Sequence, residues 1–225
     1  MDGKKNILTK KVVIILVKLI ILGSPGTGKG TLAQGLSKKW RLKHISTGDL
    51  LRIEVEKDSF LGKKIKNVLS KGELVSDRLI KDLLKKNLPK DNFILDGYPR
   101  TLTQAKTIEK ISKINYIINL QSNQKTIIKR LNSRSICLNC KSIYGLNIPP
   151  KKKGICDRCG GKLIKRKDDN LETIKSRLIV YKKENEPLIN YYKEKIININ
   201  GNSTPKSVLK KTLKELNDRG IKIRT

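Results

Sequence analysis

Short apolar runs alternate with segments of helical periodicity along most of the chain. Four apolar runs, at residues 17–22, 93–96, 116–120 and 196–199, are typical of buried strands. Apolar residues spaced three or four positions apart predict helices at residues 30–39, 103–112, 124–133, 171–194 and 207–217. This alternation favours an α/β fold, in which helices cover a parallel sheet.

Two segments interrupt the alternation. The first insertion, residues 46–76, has helical periodicity and several polar signatures. The cysteine insertion, residues 135–168, contains all four cysteines, a Pro-Pro pair and a run of three lysines. Both are expected over the edge formed by the carboxyl ends of the strands, where open α/β sheets bind ligands. The predicted core domain comprises residues 17–45, 77–134 and 169–225.

The first strand runs directly into a glycine-rich turn, GSPGTGKGT, at residues 23–31. Glycines let successive backbone N–H groups approach phosphate oxygens, and the N-terminus of the following helix favours negative charge. Lys29 would reach the outer phosphates, although Gly30 stands where the general pattern has Ser or Thr. A chance glycine cluster is disfavoured by the strand before it and the helix after it. The predicted phosphate-binding residues are Gly26, Thr27, Gly28, Lys29, Gly30 and Thr31.

The four cysteines form two closely spaced pairs. Cys137 and Cys140 are separated by two residues, as are Cys156 and Cys159, and 15 residues lie between the pairs. This spacing is typical of a zinc ribbon, in which four thiolates surround one structural ion. Disulfides are the alternative, and they are disfavoured because no secretion signal is evident.

The composition is strongly basic, with 51 Lys and Arg against 20 Asp and Glu, a net charge of +31. One interpretation is a surface for a polyanion such as nucleic acid; the other is compositional drift toward Lys, Ile and Asn. Lysines scattered over every segment and an aromatic content of 4% favour drift. No apolar run reaches the roughly 20 residues of a membrane helix.

The N-terminal residues have the basic-then-apolar order of a signal peptide. Cleavage there would remove the first strand of the phosphate site, so we expect a cytoplasmic protein with no membrane association. Residues 1–16 are expected to be either a genuine extension or the product of a start site placed upstream of Val17.

An ordered set of further motifs narrows the function. These are ISTGDLLR at residues 45–52, GELVSD at 72–77, LDGYPRT at 95–101, Gln104, Arg134, RKDD at 166–169 and Arg177. Together with the phosphate loop, they resemble the adenylate kinase family, in its long form with a zinc-bearing lid, over residues 17–217. The resemblance implies a P-loop-type five-stranded parallel sheet flanked by helices. It also implies that the first insertion binds AMP and that the cysteine insertion is the lid.

The resemblance also implies a role for each matched residue. The AMP-binding set is Thr47, Arg52, Glu73, Leu74, Val75, Gly97, Arg100, Gln104, Arg166 and Arg177. Beyond the phosphate loop, the ATP-binding set is Arg130, Arg134, Ile143, Tyr144 and Asn202. The expected catalytic residues are Lys29, Asp96, Arg100, Arg134, Arg166 and Arg177.

Acidic residues at these motifs have expected roles as well. Asp96 ends an apolar strand and would hold Mg²⁺ through water with Asp49 as its partner, or would only cap the strand. Asp168 and Asp169 would make hinge or closure contacts, or would only cap the following helix. His44 is expected to have no catalytic role.

The implied reaction is reversible phosphoryl transfer from Mg-ATP to AMP, giving two ADP. The implied partners are ATP, AMP and ADP, with a monomeric chain, no obligate protein partner and no nucleic acid. Another nucleoside monophosphate kinase or a GTP-dependent enzyme is the near alternative, although Thr47 favours AMP because pyrimidine-specific relatives tend to carry Ala there. A nucleic-acid-binding zinc-ribbon protein is the alternative from a different class.

Overall fold

A computed structural model describes residues 16–166 and 168–221 of the chain. The expectations for residues 1–15, for Lys167 of the RKDD motif and for residues 222–225 of the core lie outside these ranges.

Within the described residues, strands and helices occur in the alternating order expected of an α/β domain. The strands are β1 Lys18–Leu22, β2 Lys43–Ser46, β3 Phe93–Asp96, β4 Tyr116–Gln121, β5 Ser135–Cys137, β6 Ile143–Tyr144, β7 Leu163–Lys165 and β8 Ile196–Asn200. The helices are α1 Lys29–Trp40, α2 Thr47–Glu56, α3 Phe60–Ser70, α4 Asp77–Asn87, α5 Leu102–Ile111, α6 Gln124–Ser133, α7 Leu171–Tyr191 and α8 Pro205–Asp218.

The central sheet has five parallel strands in the order β2-β3-β1-β4-β8. Its middle strands are apolar on both faces because helices cover both sides. Ile20 and Leu95 belong to one hydrophobic cluster, whereas Leu19, Ile21 and Ile94 belong to the cluster on the other face. The predicted five-stranded parallel sheet is therefore confirmed.

Most predicted elements lie within one or two residues of their observed bounds, the usual uncertainty at element ends. Strand β2 was not predicted as a strand, because in its sequence KHIS only Ile45 is buried. The helix predicted to reach residue 194 ends at Tyr191. The backbone N–H of Tyr192 donates to the carbonyls of Asn190 and Leu188, which closes the helix three residues earlier.

The two insertions lie on either side of the edge where β1 and β3 end. The first insertion contains α2 and α3, and the cysteine insertion contains an antiparallel sheet in the order β6-β5-β7. They touch directly, since the Lys141 ammonium lies 2.8 Å from the Glu56 carboxylate. The Thr173 hydroxyl, at the start of α7, donates to the Ser70 carbonyl at 2.7 Å. The insertions and α7 thus surround a space at the carboxyl ends of β1 and β3.

Among the described residues, no helix has both the length and the apolar character that a bilayer span requires.

Candidate functional site

A cavity of about 280 Å³ lies at the carboxyl ends of β1 and β3. Its walls come from the phosphate loop, the start of α2, the segment after β3, the cysteine insertion and one face of α7. Such a position is where parallel α/β sheets bind ligands. All six predicted phosphate-loop residues line this cavity.

The phosphate loop turns sharply between β1 and α1. Gly28 has φ 103° and Gly26 has φ 83°, a left-handed region that side-chain-bearing residues rarely adopt. At Gly26, a Cβ atom would lie 2.9 Å from Leu131 Cγ, so there is also no room for a side chain. Gly28 is the N-cap of α1 and no side chain caps the helix. The free N–H groups of the first turn therefore remain available for an anion.

Lys29 is held at the centre of this loop. Its ammonium donates to the carbonyls of Gly23 at 2.7 Å and Ser24 at 3.0 Å. Burial lowers the pKa of Lys29 to about 8, with the Asp96 carboxylate opposing the shift. A desolvated cation fixed in this way interacts strongly with phosphate oxygens.

Asp96 ends β3 beside the loop, and its Oδ2 lies 3.3 Å from His44 Nε2 at the end of β2. Burial alone would raise the pKa of Asp96. The hydrogen bond from His44 and the charge of Lys29 outweigh burial and lower it. Asp96 is thus an ionised carboxylate in the cavity. Asp49, its expected partner, instead pairs with Arg52 one helical turn away.

Five predicted arginines line the cavity close to one another. They are Arg52, Arg100, Arg134, Arg166 and Arg177, contributed by the first insertion, the segment after β3, both hinges of the cysteine insertion and α7. Their charges are only partly compensated, and planar guanidinium groups are well suited to hold phosphate oxygens at fixed geometry.

Two aspartates organise this arginine cluster. Asp169 accepts two hydrogen bonds from the Arg134 guanidinium, one of them from Nε at 2.7 Å. Asp168 pairs with Arg177 and lies 3.7 Å from Arg52. Burial alone would raise the pKa of Asp168, but the neighbouring arginines lower it. Both aspartates therefore form ion pairs with arginines of the cluster, and their role in closure stays a prediction.

Arg166 is the most isolated member of the cluster. Its side chain is only 11% exposed, and its Nε is buried without a partner in the described residues. Its nearest carboxylate is that of Asp49, at 4.0 Å. Burial lowers the pKa of Arg166 to about 9, and the charges of Arg52 and Arg134 contribute. An anion between these arginines would relieve their mutual repulsion.

A smaller pocket adjoins the cavity and carries the residues expected to bind the AMP base. Its lining includes Thr47, Glu73, Leu74, Val75, Gly97, Arg100 and Gln104. The Thr47 hydroxyl donates to the Gly97 carbonyl at 2.8 Å. Gln104 accepts from the Arg100 N–H at 2.8 Å and donates to Asp77 at 2.7 Å. These hydrogen bonds fix the two side chains in the pocket wall.

The residues expected to bind ATP, beyond the phosphate loop, do not all line the cavity. Arg130 donates to the carbonyls of Thr27 and Ser203, which ties the phosphate loop to the loop before α8. Ile143 and Tyr144 line the cavity. Asn202 is exposed and is not among the lining residues, and its side chain accepts from the Asn123 N–H at 3.0 Å.

Sequence reasoning missed several residues of the site. The contact of His44 with Asp96 was not predicted, although no catalytic role was expected for His44. Asp77 stood in a motif without a role. Glu184 and Asn185 of α7 also line the cavity. They belong to no motif, but they lie seven and eight positions after Arg177, a helical spacing that would place them on its face.

The four cysteine sulfurs lie within 4.8 Å of one another. Within residues 16–166 and 168–221, they are the one group of three or more Cys, His, Asp or Glu side chains close enough to hold a metal ion. Sγ of Cys137 is 3.4 Å from that of Cys159, and Sγ of Cys140 is 3.5 Å from that of Cys156. Four thiolates at this separation fit a tetrahedral ion, whose bonds of about 2.3 Å would place the sulfurs about 3.8 Å apart.

Comparison with known proteins identifies close relatives. The family model described as adenylate kinase matches residues 21–197. An adenylate kinase of Treponema denticola is 45% identical over 193 residues, covering 84% of this chain and 92% of that protein. An adenylate kinase of Caldicellulosiruptor bescii is 43% identical over 189 residues, covering 80% and 88%. One from Thermosipho africanus is 41% identical over 209 residues, covering 88% and 98%.

Proposed function

The chain belongs to the adenylate kinase family, and we propose that it transfers a phosphoryl group reversibly from Mg-ATP to AMP, giving two ADP, by means of the residues of the cavity described above. The observation that carries the assignment of residues is the arginine cluster. Its five arginines line the same cavity as the phosphate loop, and Arg100 also lines the base pocket, which supports a site where two nucleotides place their phosphates end to end.

Phosphoryl transfer between two polyanions requires positioning and neutralisation of charge more than covalent chemistry. Lys29 and the N-terminus of α1 hold the ATP phosphates. Arg52 and Arg100 hold the AMP phosphate, while Arg166 and Arg177 contact the group in transfer. Arg134, fixed by Asp169, contributes its remaining donors from the hinge of the cysteine insertion.

The acidic residues and the cysteine insertion complete the site. Mg²⁺ bound with ATP supplies charge neutralisation at the phosphates, and Asp96 would hold it through water. Closure of the cysteine insertion excludes water, so that ATP is not hydrolysed instead. The ionised state of Asp96 and the contacts of Asp168 support these assignments.

The four cysteines bind a structural zinc ion. Four thiolate ligands leave no open coordination position, so the ion stabilises a segment with only a small hydrophobic cluster of its own. The AMP base lies beside Thr47 and Gln104, with Glu73, Leu74 and Val75 around it. The ATP base lies between Ile143, Tyr144 and the loop that contains Asn202. The enzyme acts as a cytoplasmic monomer with no obligate protein partner.

Turnover with a panel of acceptors tests this proposal. Purified protein with Mg-ATP is assayed for ADP formation with AMP, CMP, UMP and GMP, and GTP replaces ATP as donor in a parallel series. We expect rapid turnover with ATP and AMP and at least a hundredfold lower kcat/KM in Arg100→Ala, about the cost of losing one oxyanion donor. Arg78→Ala, an exposed arginine outside the cavity, serves as the control. A higher kcat/KM with another acceptor or with GTP would contradict the proposed specificity for AMP and ATP.

A further inference from the structure

Glu184 is a carboxylate on the cavity wall that the roles assigned above do not use. It lies in the middle of α7 and is half-buried. Among the described residues, no hydrogen bond or ion pair involves its carboxylate. The adjacent Asn185 also lines the cavity, and its Oδ1 is buried without a hydrogen-bond partner. Two neighbouring acceptors thus face a cavity whose other charged side chains are mostly cationic.

The other carboxylates of the cavity differ from Glu184. Asp49 pairs with Arg52, Asp96 with His44, and Asp168 with Arg177. Glu73 is exposed to solvent. Glu184 is therefore the one half-buried carboxylate of this cavity that lacks a cationic partner within the described residues. A half-buried charge without a partner is costly unless hydrogen-bond donors reach it.

The position of Glu184 in the cavity indicates which part of a bound nucleotide would supply the hydrogen-bond donors. Seven residues of helix separate it from Arg177, a rise of about 10 Å along α7 away from the arginine cluster. Leu188, one helical turn after Glu184, also lines the cavity and packs in one hydrophobic cluster with Val75 and Leu69, which line the base pocket. Glu184 thus faces the sugar and base of the AMP-side nucleotide, where a carboxylate does not repel phosphate.

We propose that Glu184, assisted by Asn185, binds the ribose hydroxyls of the acceptor nucleotide and makes the enzyme discriminate AMP from deoxy-AMP. A carboxylate accepts hydrogen bonds from vicinal hydroxyls, as acidic residues do at the ribose of dinucleotides. The base has a separate pocket with its own polar groups, Thr47 and Gln104. This inference rests on the proposed function, because it assumes that AMP is the acceptor.

The test compares kcat/KM for AMP, 2′-deoxy-AMP and 3′-deoxy-AMP in the wild type, Glu184→Ala and Glu184→Gln. The wild type should prefer AMP over a deoxy acceptor. In Glu184→Ala that preference should decrease by a factor of roughly 10 to 100, because a hydrogen bond to a charged acceptor is lost. The change should appear mainly in KM, because the hydroxyls do not react. Glu184→Gln keeps an acceptor oxygen and should retain part of the preference.

Glu186→Ala provides the matched control, since Glu186 is exposed on the same helix and does not line the cavity. Its preference for AMP should stay within twofold of the wild type. Thermal unfolding of each variant identifies any loss of folded protein. Dissociation constants for AMP and the two deoxy nucleotides give the same ratios without turnover.

Two results would overturn the inference. One is an unchanged preference for AMP over both deoxy acceptors in Glu184→Ala. The other is a Glu184→Ala variant that still prefers AMP over the deoxy acceptors but no longer prefers AMP over purine riboside 5′-monophosphate, which lacks the amino group of adenine. That result would place Glu184 at the exocyclic amine of the base. Failure of the proposed function is distinguished from both, because the wild type would then form no ADP with AMP.

Discussion

Replacing Asp169 by Asn should destabilise the base of the cysteine insertion. The Asp169 side chain is only 4% exposed and accepts two hydrogen bonds from Arg134, with Arg177 at 3.5 Å. Arg134 is the C-cap of α6, and Asp169 directly precedes the N-cap of α7. This ion pair therefore joins the two chain segments that enter and leave the insertion.

The expected loss of unfolding free energy in Asp169→Asn follows from the burial of the ion pair. Removing one partner of a buried ion pair costs about 3–5 kcal/mol, because the other charge stays desolvated. Asn retains one carbonyl acceptor, so we expect the lower end, about 3 kcal/mol. For a chain of this size, that loss lowers Tm by roughly 6–12 °C.

The assay is urea unfolding at pH 7, monitored by both far-ultraviolet circular dichroism and fluorescence of the single tryptophan, so that a separate transition of the insertion is detected. Glu194→Gln is the control, because Glu194 and its partner Lys193 have side chains that are 86% and 76% exposed. That change should cost less than about 0.5 kcal/mol. A loss below 1 kcal/mol in Asp169→Asn would refute the reasoning, since the pair would then be behaving as a surface ion pair.

Three further predictions concern the metal, pH and closure. Purified protein should contain one zinc ion per chain, and chelation should lower Tm; an unchanged Tm would contradict a structural metal. Because the pKa of Lys29 is lowered to about 8, its ammonium loses its proton above that pH, and affinity for Mg-ATP should weaken between pH 7.5 and 9. Phosphate groups are already ionised there, so a constant dissociation constant over that window would argue against the buried cation. A double-mutant cycle of Lys141→Gln and Glu56→Gln, read by fluorescence transfer between the two insertions, should give a coupling of about 0.2–1 kcal/mol that favours closure. No measurable coupling would mean that this contact does not contribute to closure.

The parts of the fold that follow apolar periodicity were predictable from sequence. Buried strands such as β1 and β3 are continuous apolar runs because helices cover both faces. Strand β2 was not predicted, because at the edge of the sheet it needs only one buried residue, Ile45. Helix α4 was not predicted as a separate helix either, because only two of its residues, Ile80 and Leu84, are buried.

The site was predictable where short motifs carry its chemistry. The phosphate loop and the cysteine pairs are local in sequence, so their spacing alone predicts their geometry. Contacts between distant segments were not predictable in this way. His44 reaches Asp96 only because β2 and β3 are neighbours in the sheet. Glu184 joins the cavity only because α7 packs against the first insertion.

The most direct test of the central claim is the stoichiometry of phosphoryl transfer. Wild-type protein is incubated with Mg²⁺, AMP and ATP labelled in the γ-phosphate, and every phosphorylated product is separated and counted. The account predicts two ADP for each ATP consumed, with the label in the β-position of ADP and almost none in inorganic phosphate. Label released as inorganic phosphate in proportion to ATP consumed would contradict it, because the cavity would then be transferring the phosphoryl group to water.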